Sequence, residues 1–170
     1  DTVVINAGIL KTRRLADERL DKDIAVFNTN VIAAIACADA AQHMFNFQGG
    51  RGHIIAISSY SALLGLPQAA AYSASKAAIA SYFNTIRGAL EKRQIKTSVV
   101  YPGFVKTDLL KGFKTSLPII ATTDQVAKDL YEVILKAPTE AIVPPLPWKV
   151  LYRMQQLTPK PMLNWLTKFL

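Results

Sequence analysis

The sequence contains a single cysteine, Cys37, in 170 residues. One thiol cannot form an intrachain disulfide, so the chain does not belong to the small secreted proteins that depend on disulfides for stability. Its first residues also lack the basic flank and apolar core of a secretory signal. We therefore expect a reducing, cytoplasmic setting.

Long apolar runs are also lacking, although 51% of the residues are hydrophobic. The most apolar stretch, Val31 to Ala41, is short and is interrupted by Asp39. A membrane-spanning helix needs about 20 consecutive apolar residues, so the sequence predicts none. The size and composition instead predict one globular domain with a hydrophobic core.

Acidic residues are outnumbered by basic ones, 12 against 20, which gives a net charge of +8. The basic residues are scattered and mixed with acids as far as Glu140, and they form no patch in the sequence. No nucleic-acid-binding motif accompanies them. We therefore expect no nucleic acid among the partners of this protein.

Short β-branched runs alternate with helical patterns along the chain. The runs TVVI, HIIAIS, IKTSVVYPG and EAIVPP predict buried parallel strands at residues 2–5, 53–58, 95–103 and 140–145. Helices are predicted between them, at residues 17–47, 71–92 and 123–136. Thr122 or Thr123 is the expected N-cap of the last helix. The alternation predicts a doubly wound parallel α/β sheet that binds ligands at the carboxyl ends of its strands.

Tyr72 and Lys76 stand four residues apart in the stretch AAAYSASKAAIASYF, so both side chains lie on one helix face. A free phenol has a pKa of about 10, and a tyrosine that transfers protons at neutral pH needs a nearby positive charge to favour its ionised form. Lys76 could supply that charge, with a smaller contribution from the dipole of the helix N-terminus. The alternative is a core tyrosine on an alanine-rich helix.

Polar side chains mark two further positions. Ser58 and Ser59 end the second predicted strand, where this architecture places active residues, although such hydroxyls also cap local turns. Asn30 lies in the otherwise apolar stretch NTNVIAAI, where a buried amide needs hydrogen-bond partners and could hold a water near a reactive group. The neighbouring Asn28 leaves open which of the two amides is buried.

The first and third predicted strands end in residues that suit a ligand as well as an ordinary turn. Small residues, which would let a flat ligand lie against the backbone, follow the first strand: Asn6, Ala7 and Gly8. A stiff turn with free backbone amides and a hydroxyl follows the third strand, and its residues are Pro102, Gly103, Val105 and Thr107.

These motifs, taken together and in order, resemble those of the short-chain dehydrogenase/reductase family. DTVVINAG looks like the family's fourth strand with its Asn-Ala-Gly motif, and NTNVIAA looks like the helix that carries the catalytic Asn. HIIAISS is similar to the strand that ends in the catalytic Ser, YSASK to the Tyr-x-x-x-Lys motif, and YPGFVKTD to the loop that receives the nicotinamide. The resemblance covers Asp1 to about Val143. It implies a Rossmann-like, three-layer αβα fold and hydride transfer between NAD or NADP and a small-molecule carbonyl or alcohol substrate.

The resemblance also implies a role for each matching residue. Tyr72 would be the general acid or base, while Lys76 would bind the nicotinamide ribose and lower the Tyr72 pKa. Ser59 would hold the substrate oxygen, and Asn30 would fix a water that links Lys76 to a proton relay. The adenosine side of the cofactor would be lined by Asn6, Ala7 and Gly8, and its nicotinamide end by Pro102, Gly103, Val105 and Thr107.

Two features depart from the family pattern. Ile5 stands where many members have a second Asn, which is a modest change. The Gly-rich turn that approaches the cofactor pyrophosphate at a helix N-terminus is lacking, since GGRG at residues 49–52 precedes a strand. We therefore expect an incomplete sheet in residues 1–145, without the family's first βαβαβ half, and a fragment of a longer reductase that is inactive by itself. The residues that discriminate NAD from NADP would follow the missing second strand.

Residues 146–170 differ from the rest, because they contain basic but no acidic residues. We interpret them as a separate, basic and amphipathic helical tail. An amphipathic helix is predicted by the spacing of Met162, Trp165, Leu166, Phe169 and Leu170. Its apolar stripe could pack on the domain or on a partner subunit, which is the more common use of such a stripe, or it could lie on an anionic membrane surface.

The segments expected beside the site are apolar, which favours a lipophilic substrate. These apolar residues are Leu63, Leu64, Leu66, Phe104, Leu109, Leu110 and Phe113. The Ala-rich helices could form the interface of a homodimer or homotetramer. The alternative function is a non-catalytic member or fragment that uses the same fold for binding or subunit assembly. The joint presence of the four candidate catalytic residues favours the enzyme, because a scaffold needs no such combination.

Overall fold

The computed structural model describes residues 1–12, 20–110 and 120–159, which form a parallel β-sheet with helices on both faces. Its four strands are adjacent in chain order, and they are β1 (Thr2–Ile5), β2 (Gly52–Ile57), β3 (Ile95–Pro102) and β4 (Glu140–Val143). Each neighbouring pair is parallel. The predicted doubly wound α/β fold is confirmed.

Five α-helices are described, namely α1 (Leu20–Phe27), α2 (Ala33–Phe47), α3 (Ala70–Glu91), α4 (Thr123–Lys136) and α5 (Trp148–Leu157). A π-helical turn, Asn28–Ile32, joins α1 to α2 without a break. α4 begins with a capping box: the Thr122 hydroxyl accepts a hydrogen bond from the Gln125 amide at 3.3 Å, and the Gln125 side chain accepts one from the Thr122 amide at 3.0 Å. Thr122 is therefore the N-cap.

The sheet separates two hydrophobic clusters, because successive side chains of a strand point to opposite faces. α2 and α3 pack on the face that carries Ile54 and Ala56. α4 packs on the opposite face, against Ile55 and Ile57. Coverage of this second face is partial, since Val4 of β1 remains 44% exposed.

The helix that runs through α1, the π turn and α2 is 28 residues long, and by length and composition alone it is apolar enough to cross a membrane. The sequence contains no uninterrupted apolar run over this helix, because polar residues are interspersed along it, and that criterion therefore did not detect it. In the structure, Ala34, Ala38 and Phe45 of this helix are buried in the core. Core helices of globular proteins share this length and composition, and this helix packs on the sheet.

The helix α5 lies within residues 146–170, which we interpret as a helical tail, but the apolar spacing located a helix only at residues 162–170. Three prolines, Pro144, Pro145 and Pro147, precede its start, and such prolines usually predict a break in helical structure. Proline is nevertheless compatible with the N-terminal flank of a helix, where its missing N–H is not needed. The predicted helix at residues 162–170 lies outside the described residues, and the boundary between residues 145 and 146 stays a prediction.

Candidate active site

The carboxyl ends of β1, β2 and β3 open onto one cavity of about 280 Å³. Parallel strands share that edge of the sheet, so segments distant in sequence meet there. The predicted site residues that line the cavity are Asn6, Gly8, Ser59, Tyr72, Lys76, Pro102, Gly103, Val105 and Thr107. Ala7 and Asn30 do not line it: Ala7 is exposed, and Asn30 is buried behind the cavity wall.

Tyr72 and Lys76 lie on the first two turns of α3, which starts directly after a short 3₁₀ turn, Pro67–Ala69. The Ser58 hydroxyl donates to the Lys76 carbonyl oxygen at 2.8 Å and ties α3 to the end of β2. The Ser73 hydroxyl accepts from the Leu66 amide at 3.0 Å and ties α3 to the loop before it. These two bonds fix the face of α3 that carries the tyrosine and the lysine.

Lys76 is buried, and its ammonium group reaches the carboxyl end of β2. The Lys76 Nζ donates to the Ile57 carbonyl oxygen at 2.8 Å and lies 5.8 Å from the centre of the Tyr72 ring. Burial disfavours the charged form and lowers the pKa of Lys76 to about 8. Lys76 is therefore mostly charged at neutral pH and titrates in the mildly alkaline range.

Tyr72 is also buried, and burial raises the pKa of its phenol above the ordinary value. A side-chain hydrogen bond with Ser59 acts in the opposite direction and is the weaker influence. Desolvation is the largest cause of the shift, and a lowering of the Tyr72 pKa by Lys76 stays a prediction. Tyr72 thus keeps its proton at neutral pH.

Asn30 occupies the π turn and is the buried amide of the pair, whereas Asn28 is exposed. Its Oδ1 accepts from the Ile9 amide at 2.8 Å, and its Nδ2 donates to the Ile9 carbonyl oxygen and to the Ser75 hydroxyl, both at 3.0 Å. The Ser75 hydroxyl in turn donates to the Tyr72 carbonyl oxygen at 2.7 Å. Asn30 therefore joins the segment after β1 to the helix that carries Tyr72.

Gly8 lies where this segment passes closest to the lysine. A Cβ atom at Gly8 would stand 3.2 Å from Lys76 Nζ, which is tighter than an ordinary contact, and 3.4 Å from Asn30 Oδ1. The glycine of the Asn-Ala-Gly motif therefore leaves room for both polar groups, which is a steric requirement that the sequence alone did not reveal.

Ser59 combines two functions at the end of β2. Its hydroxyl accepts from the Ser61 amide at 3.1 Å, which caps the 3₁₀ turn Tyr60–Ala62. It also contacts the Tyr72 phenol and lines the cavity. The sequence left open a local cap or an active hydroxyl, and the geometry allows both.

The loop after β3 closes the cavity on the other side. The Gly103 amide donates to the Val143 carbonyl oxygen at 2.9 Å, and Val105 forms a parallel bridge with Ala121. A Cβ atom at Gly103 would stand 2.2 Å from the ring of Trp148. Gly103 thus allows the indole to pack directly against the backbone of the loop.

Two residues of α5 support this end of the site and were missed from the sequence. Trp148 is buried, with its ring centre 4.8 Å from that of Tyr60 and 5.7 Å from that of Phe104. Gln155 accepts from the Tyr60 hydroxyl at 3.3 Å and donates to the Leu63 carbonyl oxygen. The only sequence signal was a tryptophan after a run of prolines.

The remaining cavity wall is mostly apolar, with Ser58 and Thr123 as its polar residues. The predicted residues that line it are Leu66, Phe104, Leu109 and Leu110, and Leu10 and the α4 residues Val126, Ala127 and Leu130 join them. Leu63 lines a separate depression beside Glu140 and Arg153. Phe113 lies outside the described residues. α4 was not expected at the site, because its sequence shows only the pattern of a helix packed on a sheet.

Comparison with known proteins identifies relatives of the chain. Residues 1–117 match the family model described as short chain dehydrogenase. An uncharacterized oxidoreductase of Mycobacterium tuberculosis is 34% identical over 160 residues, which are 94% of this chain and 62% of that protein.

Two solved structures share the fold. The structure of 4-hydroxyisoleucine dehydrogenase complexed with NADH has a TM-score of 0.73 at 20% identity, over 84% of this chain and 66% of that chain. The structure of ElxO with NADP bound has a TM-score of 0.72 at 24% identity, over 84% of this chain and 64% of that chain. The chain thus spans less than two thirds of the length of the relative and about two thirds of each solved chain.

Proposed function

The chain belongs to the short-chain dehydrogenase family, and from that premise we propose that it forms part of an NAD- or NADP-dependent oxidoreductase that interconverts a carbonyl and an alcohol. One observation carries the proposal: Ser59, Tyr72 and Lys76 line a single cavity at the carboxyl end of β2. The similar structures with bound NADH and NADP support the cofactor class. Because the chain spans 62% of its M. tuberculosis relative, the activity is proposed for the whole protein.

The residues around the cavity fit the nicotinamide end of such a cofactor, which supplies the hydride when bound. Gly8 leaves open space against Lys76 Nζ that a side chain would fill. One of the three Lys76 donors goes to Ile57, and in our proposal the others hold ribose hydroxyls. The backbone from Pro102 to Thr107 would seat the nicotinamide amide, and Asn6 and Ala7 the adenosine side.

Tyr72 is proposed as the general acid. Its raised pKa keeps the phenol protonated at neutral pH, so its Oη can donate a proton to the oxygen of a bound carbonyl. Ser59 would hold the same oxygen through its hydroxyl. A protonated tyrosine favours carbonyl reduction, whereas alcohol oxidation would need the ionised phenol.

Asn30 is proposed to position the catalytic residues without lining the cavity. Its bonds to Ile9 and Ser75 fix the relative positions of the β1 end and α3. The family resemblance also implies a water near Asn30, and we propose that this water would continue the proton path from Lys76.

The substrate is proposed to be lipophilic. The cavity wall near Tyr72 is formed by Leu66, Phe104 and Leu110, with Val126 and Leu130 from α4. Apolar walls of this kind reward the burial of an alkyl or ring system at about 25 cal/mol per Å².

Titration with reduced nicotinamide mononucleotide, NADH and NADPH tests the proposal, with nicotinamide fluorescence as the readout. The mononucleotide is the sharpest probe, because it contains only the end of the cofactor for which the described residues are proposed. We expect it to bind to these residues, and we expect the preferred dinucleotide to be oxidised by the whole protein when carbonyl compounds with apolar chains are added. The sequence has no Gly-rich turn for the pyrophosphate, so we predict weak dinucleotide binding by these 170 residues alone.

Two glycine variants provide a matched pair for that titration. Gly8→Ala places a methyl group against Lys76, whereas Gly88→Ala adds one on α3 with no atom within 4 Å. We expect Gly8→Ala to weaken binding of the mononucleotide and Gly88→Ala to leave it unchanged. If none of the three nucleotides bound, the proposed oxidoreductase function would be wrong, and the non-catalytic scaffold would be favoured.

Subunit assembly and compartment are proposed on separate observations. The long helix exposes Leu20, Ile24 and Ile32, which would suit a homodimer or homotetramer contact, and Ile32→Lys should then lower the mass measured by light scattering. Cys37 is free and exposed, which suits a reducing compartment such as the cytoplasm.

A further inference from the structure

The helix α5 has apolar residues on two opposite sides. Its inner side holds Trp148, which is buried, and Gln155, which is bonded to the loop after β2. Its outer side carries Val150, Met154 and Leu157, spaced i, i+4 and i+7 and exposed by 49%, 60% and 86%. The spacing places these three side chains in one stripe along the helix.

The inner contacts prevent the stripe from turning toward the domain. Trp148 packs against Gly103 so closely that a Cβ atom would not fit between them. Gln155, almost two turns later, fixes the same side of the helix a second time. The outer stripe is therefore held facing outward, and Leu146, 70% exposed, extends it beyond the helix start.

The charged residues of α5 itself are both basic, and Glu140 of β4 lines a depression that they also line. Lys149 and Arg153 are exposed on α5, one turn apart, and the sequence has no acidic residue after Glu140. An exposed apolar pair on α4, Tyr131 and Leu135, differs in this respect. There the nearest charges neutralise each other, because Lys136 Nζ lies 2.7 Å from a carboxylate oxygen of Glu132.

We propose that the outer face of α5, formed by Leu146, Lys149, Val150, Arg153, Met154 and Leu157, docks onto an anionic phospholipid surface. In that arrangement α5 lies in the plane of the membrane, with the stripe among the headgroups and acyl chains and the two cations near lipid phosphates. The charge selects this occupant. A second copy of the chain would oppose the same cations to each other across a two-fold axis, at a cost in binding.

Docking through α5 would bring the active-site cavity near the lipid. Trp148 on the inner side of α5 packs against Phe104, which lines the cavity. One helix therefore separates the proposed membrane surface from the proposed site. A lipophilic substrate dissolved in the bilayer would be close to its binding site.

Sedimentation of the protein with phospholipid vesicles tests this proposal without any measurement of activity. The vesicles contain either phosphatidylcholine alone or phosphatidylcholine mixed with phosphatidylserine. We expect the chain to sediment with the phosphatidylserine vesicles, to remain free with phosphatidylcholine alone, and to be released by salt.

Two α5 variants separate the apolar from the electrostatic contribution. Lys149→Gln with Arg153→Gln should lower the partition coefficient about thirtyfold, at about 1 kcal/mol for each cation near the surface. Val150→Ser with Met154→Ser and Leu157→Ser should lower it at least about tenfold. Thermal unfolding verifies that these exposed substitutions leave the fold intact.

The α4 variant Tyr131→Ser with Leu135→Ser is the matched control, because it removes a similarly exposed apolar pair whose neighbouring Lys136 is paired with Glu132. It should bind vesicles as the unchanged protein does. Absence of binding to phosphatidylserine vesicles would overturn the proposal, as would binding that survives both α5 variants. A stripe variant that lowers the oligomeric mass without changing vesicle binding would also overturn it, in favour of a contact between copies.

Discussion

His53 and Lys76 are both buried titratable side chains, and burial lowers the pKa of each below its ordinary value. Their surroundings differ. His53 lies on β2, where its Nε2 pairs with the Ser98 hydroxyl at 2.8 Å, and Ser98 donates to the Pro138 carbonyl oxygen. That chain of bonds ends inside the fold, whereas Lys76 lines the cavity.

The difference teaches how a shifted pKa should be interpreted. Because Ser98 uses its hydroxyl hydrogen on Pro138, His53 must donate from Nε2, so one tautomer satisfies the whole group. Among the described residues Lys76 Nζ donates to Ile57 alone, and Gly8 leaves open space beside it. Desolvation acts on both residues, and access to a ligand separates the structural one from the candidate catalytic one.

The largest effect should come from removing the proton donor on the cavity side. Tyr72→Phe deletes only the phenolic oxygen, and general acid catalysis of this kind contributes about 10²- to 10⁴-fold. We expect the kcat of the whole protein to fall by that factor while cofactor binding persists. Steady-state kinetics measures it, with Tyr82→Phe on the same helix as control. Equal losses in both variants would break the comparison, because they would indicate a disturbed helix.

The second effect concerns the stability that Lys76 sacrifices. Its pKa of about 8, against about 10.4 in the unfolded chain, corresponds to about 3 kcal/mol at neutral pH. We expect Lys76→Met to unfold at a higher denaturant concentration at pH 7. The lost hydrogen bond to Ile57 reduces the gain in unfolding free energy by about 1 kcal/mol. Nucleotide binding should be lost.

The pH dependence of that gain has a definite sign. Between pH 8 and 10 the unfolded chain holds a proton that the folded protein has released, so the unchanged protein gains stability as the pH rises. The gap between it and Lys76→Met should therefore narrow at pH 9. Urea unfolding at both pH values measures the gap, and a constant gap would show that burial of the charge is not its cause.

A third, smaller effect is expected at Asn30. Asn30→Ala leaves the Ile9 amide and carbonyl without their partner. Because Ile9 is only half-buried, water can replace part of the lost bonds, and we expect a total loss of about 1 kcal/mol, at the lower end of the cost of an unsatisfied buried group. The exposed neighbour provides the control, since Asn28→Ala removes an amide from the same π turn. Chemical denaturation should separate the two variants, and equal losses would mean that the π turn itself is the sensitive feature.

The smallest effect should come from His53→Gln. Glutamine keeps an N–H donor for Ser98, so the free energy of unfolding at pH 7.5 should change by about 1 kcal/mol or less. The pKa of His53 is lowered by burial and by Lys96, so the folded state resists protonation and loses stability as the pH falls below about 6.5. His53→Gln should lose less over that range, as thermal unfolding at pH 5 would show. Turnover should remain unchanged.

The sequence predicted the sheet and the order of its motifs, because β-branched runs and turn residues are local signals. Tyr72 and Lys76 could be paired from helical spacing alone. The clamp from Asn30 to Ile9 could not, because it depends on a π turn, which shifts the helix register within a stretch that looks regular. The π turn also explains why the sequence could not decide whether Asn28 or Asn30 is the buried amide.

Packing across the fold was likewise beyond local patterns. The fit of Trp148 against Gly103 joins residues 45 positions apart, and Gln155 meets Leu63 across 92 positions. Neither pair has a spacing rule. The raised Tyr72 pKa was also missed, because the sequence displayed the neighbouring lysine but not the depth of burial.

The position of Trp148 gives the molecule an internal optical reporter. The sequence has two tryptophans, so Trp165→Phe would leave the buried indole as the sole tryptophan emitter. Its ring touches Phe104 on one side and Tyr60, the residue after Ser59, on the other. Emission from that single ring would respond to a ligand in the cavity and to the docking of α5 in one experiment, with no added label.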